Sequence, residues 1–124
     1  MIWMNGDSRT VLIVDDDPQV LRLVEQMLRP RNIRVLAAPR PTAALEIFAR
    51  ESVHLLISDV AMPEMDGGKL AERALSLQPE TRILLISGYP KEPTVDARPG
   101  QVRFLRKPFF PSQLIENLGA LLDE

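Results

Sequence analysis

Asp15, Asp16 and Asp17 follow one short apolar run, Asp59 closes a second, and Ser87 and Lys107 close two more. Asp59 taken alone can be a nucleophile, a base, a metal ligand or a helix cap, so the other groups must decide. Carboxylates brought within a few ångströms repel, and each raises the cost of ionising the next. A hard divalent cation relieves that repulsion, and an all-oxygen donor set suits Mg²⁺ better than zinc or a soft metal. A phosphoryl group can bridge such an ion to a carboxylate nucleophile. Its remaining oxygens then need a positive charge, a hydroxyl and backbone N–H groups, which Lys107, Ser87 and the turn after Asp59 can supply. Together the residue types read as phosphoryl transfer onto an aspartate.

Such groups converge only if the scaffold brings the runs side by side. Thr10–Val14, Arg34–Ala38, Leu55–Ser58, Arg82–Ser87 and Arg103–Arg106 each read as a short strand. Four helical patterns accompany them. Val20, Leu21, Val24, Met27 and Leu28 give the first its apolar face, after Asp17 as cap and Pro18 as opening residue. Ala44, Leu45 and Phe48 mark a second helix from Pro41. Leu70, Ala71, Ala74 and Leu75 mark a third, with Asp66 as cap. Leu114, Ile115, Leu118, Leu121 and Leu122 mark the last, where Phe110 before Pro111 leaves the start without a side-chain cap. Between Tyr89 and Val102 the prolines 90, 93 and 99 with Gly100 leave room for a short or irregular helix at most. Strands alternating with helices predict a single doubly wound, five-stranded parallel sheet of order 2-1-3-4-5, flavodoxin-like. In that order a crevice opens between the first and third strands. Asp15 and Asp16 then face Asp59, with Ser87 and Lys107 on the far side. Residues 1–9 read as a lead-in and 10–124 as the domain.

Composition bounds the alternatives. At 124 residues with 45% hydrophobic content, the chain fits one domain with a real core. A net charge of −2 gives no electrostatic case for nucleic acid or an anionic membrane surface. The absence of cysteine excludes disulfides and thiol chemistry. No apolar run approaches the ~18 residues of a membrane span, and the first residues lack a signal-peptide pattern. The expected location is cytoplasmic.

Four motifs carry a resemblance: Val14-Asp15-Asp16-Asp17, Ser58-Asp59-Val60-Ala61-Met62-Pro63-Glu64-Met65-Asp66-Gly67, Ile86-Ser87-Gly88 and Lys107-Pro108-Phe109. Any one alone is common; all four in order at strand ends are specific. From about residue 10 to about 122 the sequence resembles a response-regulator receiver domain, chemotaxis-regulator-like, of two-component phosphorelay signalling. The resemblance implies that Asp59 accepts a phosphoryl group from a phosphohistidine on a sensor histidine kinase or histidine phosphotransfer protein. It implies Mg²⁺ as cofactor, held by Asp16, Asp59 and the Ala61 backbone carbonyl, with Asp15 helping through water. Lys107 pairs with the phosphoryl oxygens, across a bond to Pro108 expected to be cis. Ser87 supplies the moving hydroxyl, and Phe104 stands at the switch-aromatic position. Ala61 and Tyr89 occupy positions that tune phosphoryl loss, and Tyr89 as a shield implies slow self-dephosphorylation. The family is a phosphoacceptor that promotes its own phosphorylation and dephosphorylation, not a dedicated turnover enzyme. It is compatible with homodimerisation through the face of its fourth helix, fifth strand and fifth helix. The irregular stretch after Tyr89 departs from that face.

Blander readings stand beside these. Asp17 and Asp66 read as helix caps, Phe104 first as a core aromatic, and His54 as a structural histidine at the opposite end from the acids. A pseudo-receiver, binding protein without phosphorylation, is the alternative function. An aspartate-nucleophile phosphatase would carry an acid two residues after the nucleophile, where this chain has Ala61. A flavin-binding flavodoxin would carry a Ser/Thr/Gly-rich loop after the first strand. The chain ends soon after the last helix, so no output domain is expected within it. A free-standing regulator and a piece of a longer protein both fit.

Overall fold

The computed structural model describes residues 9–88 and 92–122. Its elements are β1 (Arg9–Val14), α1 (Pro18–Leu28), β2 (Ile33–Ala38), α2 (Pro41–Phe48), β3 (Leu55–Asp59), α3 (Gly67–Leu77), β4 (Arg82–Ser87), β5 (Val102–Arg106) and α4 (Pro111–Leu122). The five strands form one sheet in the order β2-β1-β3-β4-β5, and every neighbouring pair is parallel. This is the doubly wound arrangement expected from the strand–helix alternation.

Because side chains alternate across a strand, each central strand feeds two cores. Val11, Ile13, Leu55, Ile57, Leu84 and Ile86 pack with Val24 and Leu28 of α1 and Leu114 and Leu118 of α4. Leu12, Val14, Leu56, Ile83 and Leu85 pack on the other face with Ala44 and Phe48 of α2 and Leu70, Ala71 and Ala74 of α3. At roughly 1.5–3 kcal/mol per buried aliphatic side chain, these two layers supply most of the driving force. They also lock the register that decides which residues surface at the strand ends.

The helix starts follow local chemistry. Asp17 accepts the Gln19 N–H at 2.9 Å and Pro18 takes the first turn of α1. Asp66 accepts the Lys69 N–H at 2.9 Å at the head of α3. The expectation that the last helix lacks a side-chain cap is corrected. Phe110 offers none, but Gln113 reaches back and its Oε1 accepts the Phe110 N–H at 2.7 Å, half of a capping box.

Four strand boundaries shift by one residue, with Arg9, Ile33, Asp59 and Val102 joining β1, β2, β3 and β5. Arg9 pairs with Ile33, so the sheet begins one residue earlier than expected. The rest of the expected lead-in, residues 1–8, and Tyr89 with its shielding role lie outside the described residues. Between β4 and β5, residues 92–98 run without helical or strand bonding, and Pro99 and Gly100 make a turn with Gly100 at φ 79°. The described part of the stretch where the family's fourth helix is expected is therefore irregular chain. It is not loose: Val95 packs against the α2/α3 core. Pro93 sits so close to Gly68 that a Cβ there would lie 2.9 Å from the proline Cβ.

Candidate functional site

The carboxyl ends of β1, β3, β4 and β5 form one rim. After β1, Asp15 is almost fully buried and its Oδ1 accepts the Asp17 N–H at 2.9 Å, a bond that bends the chain into α1. Asp16, next to it, is exposed. Asp59 is the last residue of β3, paired with Ile86 and only 8% exposed. One carboxylate oxygen from each of Asp15, Asp16 and Asp59 lies within 4.8 Å of the others. Lys107 approaches from the end of β5, its Nζ 3.4 Å from Asp59 Oδ1 and 3.9 Å from Asp15 Oδ2. Its backbone N–H donates to the Ser87 carbonyl at 2.8 Å, and its bond to Pro108 is cis.

The expected group of Asp15, Asp16, Asp59 and Lys107 is thus brought together from three strands. Ser87 is buried at the end of β4, tied through its carbonyl to Lys107. Ala61 lies two residues beyond Asp59 on an exposed loop. Phe104 is half-buried against the α2/α3 core, three residues before Lys107, as its core-aromatic reading expects.

Burial is the main influence on Asp15 and pushes its carboxyl above the ordinary 3.8, against the Asp17 N–H, which favours the ionised form. The Asp59 and Asp16 charges add to the rise and Lys107 subtracts from it. A carboxyl that holds its proton more tightly when folded stabilises the fold below its unfolded pKa. That contribution is lost as pH rises through the raised value. Ionised Asp15 therefore costs stability at neutral pH. Asp15→Asn keeps an acceptor for the Asp17 N–H and removes the charge. It is expected to raise metal-free stability near neutrality by about 0.5–2 kcal/mol. Urea unfolding followed toward acid should show the gain vanish as pH falls through the raised Asp15 pKa.

Three oxygen donors at this spacing, with no nitrogen or sulfur among them, fit a hard divalent cation. One contributor was not legible in advance. Gly67 opens α3 with its N–H on the Val60 carbonyl at 2.8 Å, and a Cβ on it would lie 2.4 Å from the Asp59 carbonyl oxygen. The sequence marks Gly67 only as a turn residue after a cap; its contact with the β3 end appears only in three dimensions.

The opposite end of the sheet holds a cavity of about 450 Å³ lined by Arg9, His54, Gln78, Thr81 and Arg82, far from the acids. His54 Nδ1 accepts the Thr10 N–H at 2.9 Å, which only a neutral ring can do. Burial and then the Arg9 charge lower its pKa. The structural reading of His54 holds.

The sequence pattern of the response regulator receiver domain matches residues 11–119. The chain belongs to the response-regulator receiver family. This receiver is 31% identical over 117 residues to the response regulator receiver protein CpdR of Brucella abortus, covering 92% of the chain and 97% of that protein. It is 32% identical over 121 residues to the sensor kinase CckA of the same organism, covering 94% of the chain but 13% of the kinase. Among solved structures, the signal receiver domain of an HD domain-containing protein from Pseudomonas fluorescens matches with a TM-score of 0.83 at 28% identity. That match covers 94% of this chain and 96% of the other. Among the described residues no helix is long and apolar enough to cross a membrane.

Proposed function

We propose that this receiver takes a phosphoryl group from a phosphohistidine onto Asp59 and thereby switches a protein-interaction surface. The observation that carries the reading is the position of Lys107 Nζ, 3.4 Å from Asp59 and 3.9 Å from Asp15, opposite the three-carboxylate cluster. An Asp59 oxygen attacks phosphorus, the phosphorus–nitrogen bond breaks, and an acyl phosphate forms while the released imidazole draws its proton from solvent. Lys107 pairs with a phosphoryl oxygen as charge shifts from the donor. Asp16, Asp59 and the Ala61 carbonyl would hold Mg²⁺, with Asp15 through water, and that ion neutralises the phosphoryl oxygens when bound. The Ser87 hydroxyl then engages the new anion, and Phe104, three residues before Lys107 on β5, answers by turning inward.

The expected donor is a sensor histidine kinase or a histidine phosphotransfer protein in the cytoplasm, in keeping with the likeness to a sensor kinase's own receiver segment. A pseudo-receiver is the second reading, favoured by the irregular chain at 92–98 where a helical output surface is expected. One experiment separates them. Treated with Mg²⁺ and acetyl phosphate, the protein is expected to gain one phosphoryl mass by intact mass spectrometry, and none once the metal is chelated. A protein that stays unmodified in excess Mg²⁺ and donor is a pseudo-receiver.

A further inference from the structure

Helix α2 starts without a cap of its own: Arg40 precedes it and makes no capping bond. Its second amide is nevertheless satisfied from 22 residues away. Glu64, in the loop that follows Asp59, places Oε1 3.1 Å from the Thr42 N–H and 3.0 Å from the Thr42 hydroxyl, and both donate to it. The second oxygen, Oε2, lies 3.9 Å from Arg40 Nε. A carboxylate at a helix N-terminus is also favoured by the aligned peptide dipoles.

The same loop bears Ala61. Its ends are pinned by backbone bonds, Val60 N–H to the Ile86 carbonyl at 3.0 Å and Gly67 N–H to the Val60 carbonyl at 2.8 Å. Met62 and Met65 pack partly against the α2/α3 core, while Ala61, Pro63 and Glu64 are exposed. Asp66 is spent on its own helix through Lys69. Among the described residues, Glu64 links the loop apex to the head of α2 through Thr42 and, at 3.9 Å, Arg40.

We propose that Glu64 is a positioning residue. By clasping the head of α2 it holds the 60–66 loop in the curvature that presents the Ala61 carbonyl to the cation. This rests on the metal site proposed above. Groups that orient the ligands of a metal commonly change its affinity by tenfold or more when removed. Glu64 does so here from the tip of an exposed loop, and α2 is the fixed point it grips.

The test is Mg²⁺ alone, titrated into wild type, Glu64→Ala, Glu64→Gln and Thr42→Val and followed by calorimetry, with no phosphodonor present. Glu64→Ala is expected to bind Mg²⁺ about tenfold more weakly. Glu64→Gln is expected to stay near wild type, because its amide oxygen still accepts both Thr42 bonds and loses only the long Arg40 contact and the modest charge–dipole attraction at the exposed head of α2. Thr42→Val, which keeps the N–H bond and loses the hydroxyl, is expected to weaken binding roughly threefold. It carries the test if Glu64→Ala does not fold. A role confined to capping α2 would lower the metal-free melting temperature of Glu64→Ala and leave its Mg²⁺ affinity at the wild-type value, which overturns the proposal. No Mg²⁺ binding by wild type removes the metal site itself, and this inference with it.

Discussion

Asp59→Asn is expected to take up no phosphoryl group under conditions in which wild type is fully converted. The substitution is close to isosteric, and its side-chain oxygen can still accept from Lys107 at the 3.4 Å contact. The fold and the rim are therefore retained while the nucleophile is lost. A carboxylate oxygen carries the charge that the attack consumes, whereas an amide oxygen is a poor nucleophile at neutral pH. The three acids after β1 are the obvious competitors. Asp15 is committed to the Asp17 N–H, and Asp17 to the Gln19 N–H at the head of α1. Asp16 is exposed, without a lysine within salt-bridge distance among the described residues. Asp15 is also buried and lies 3.9 Å from Lys107, but its carboxylate is held by the Asp17 N–H, and Asp59 makes the closer approach at 3.4 Å. Intact mass after Mg²⁺ and acetyl phosphate decides the point. A full phosphoryl adduct on Asp59→Asn would move the acceptor to another acid and sink the assignment.

Most of this rim could be read from the sequence for one physical reason. The central strands β1, β3 and β4 are buried on both faces, so they must be nearly continuous apolar runs. A carboxylate directly after such a run has nowhere to go but the strand end. Asp15, Asp16 and Asp59 were therefore placed by their neighbours in sequence. Lys107 needed more: its own run, Val102–Arg106, is an edge strand with two exposed arginines. Its significance comes from Pro108 after it and the strand before it. Caps formed within one turn, Asp17 and Asp66, were equally legible because donor and acceptor lie two or three residues apart.

What escaped the sequence involves partners far apart or backbone in unusual proximity. The α2 cap comes from Glu64, in another loop, so nothing near Arg40 announces it. Gln113 looks like an ordinary helix residue until its side chain is seen folded back on Phe110. The prolines at 90, 93 and 99 point to a short or irregular helix at most, and the described residues 92–98 run without helical bonding. The prolines could not show that Pro93 would seat on Gly68 or that Val95 would help cover the α3 face. The described chain at 92–98 beside Phe104 is irregular, and its seat depends on contacts between residues far apart in sequence.

The pair Gly67 and Gly68 leads to the second large effect. Gly67→Ala would put a Cβ 2.4 Å from the Asp59 carbonyl oxygen, 3.0 Å from Val60 Cα and 3.1 Å from the Asp59 carbonyl carbon. All three neighbours are backbone, so no rotamer change relieves the overlap. Either α3 backs away and stretches the bond to the Val60 carbonyl, or the end of β3 moves and carries Asp59 with it. Alanine's better helix propensity returns about 1 kcal/mol, while overpacking against rigid backbone costs as much as 3 kcal/mol or more. A net loss of about 2 kcal/mol is expected, together with slower phosphoryl uptake because Asp59, the proposed acceptor, is displaced. Gly68→Ala is the informative comparison. Its closest contacts are the Pro93 Cβ at 2.9 Å, on the irregular 92–98 segment, and the Asp66 Oδ1 of the α3 cap at 3.1 Å; both are side-chain atoms rather than strand backbone. Its cost should be smaller and should leave Asp59 in place. Gly88→Ala meets nothing within 4 Å and serves as the neutral control. Urea midpoints at constant slope rank the three. A Gly67→Ala protein as stable as the Gly88→Ala control would mean that the close seat of α3 on the β3 end is not what holds this rim in shape.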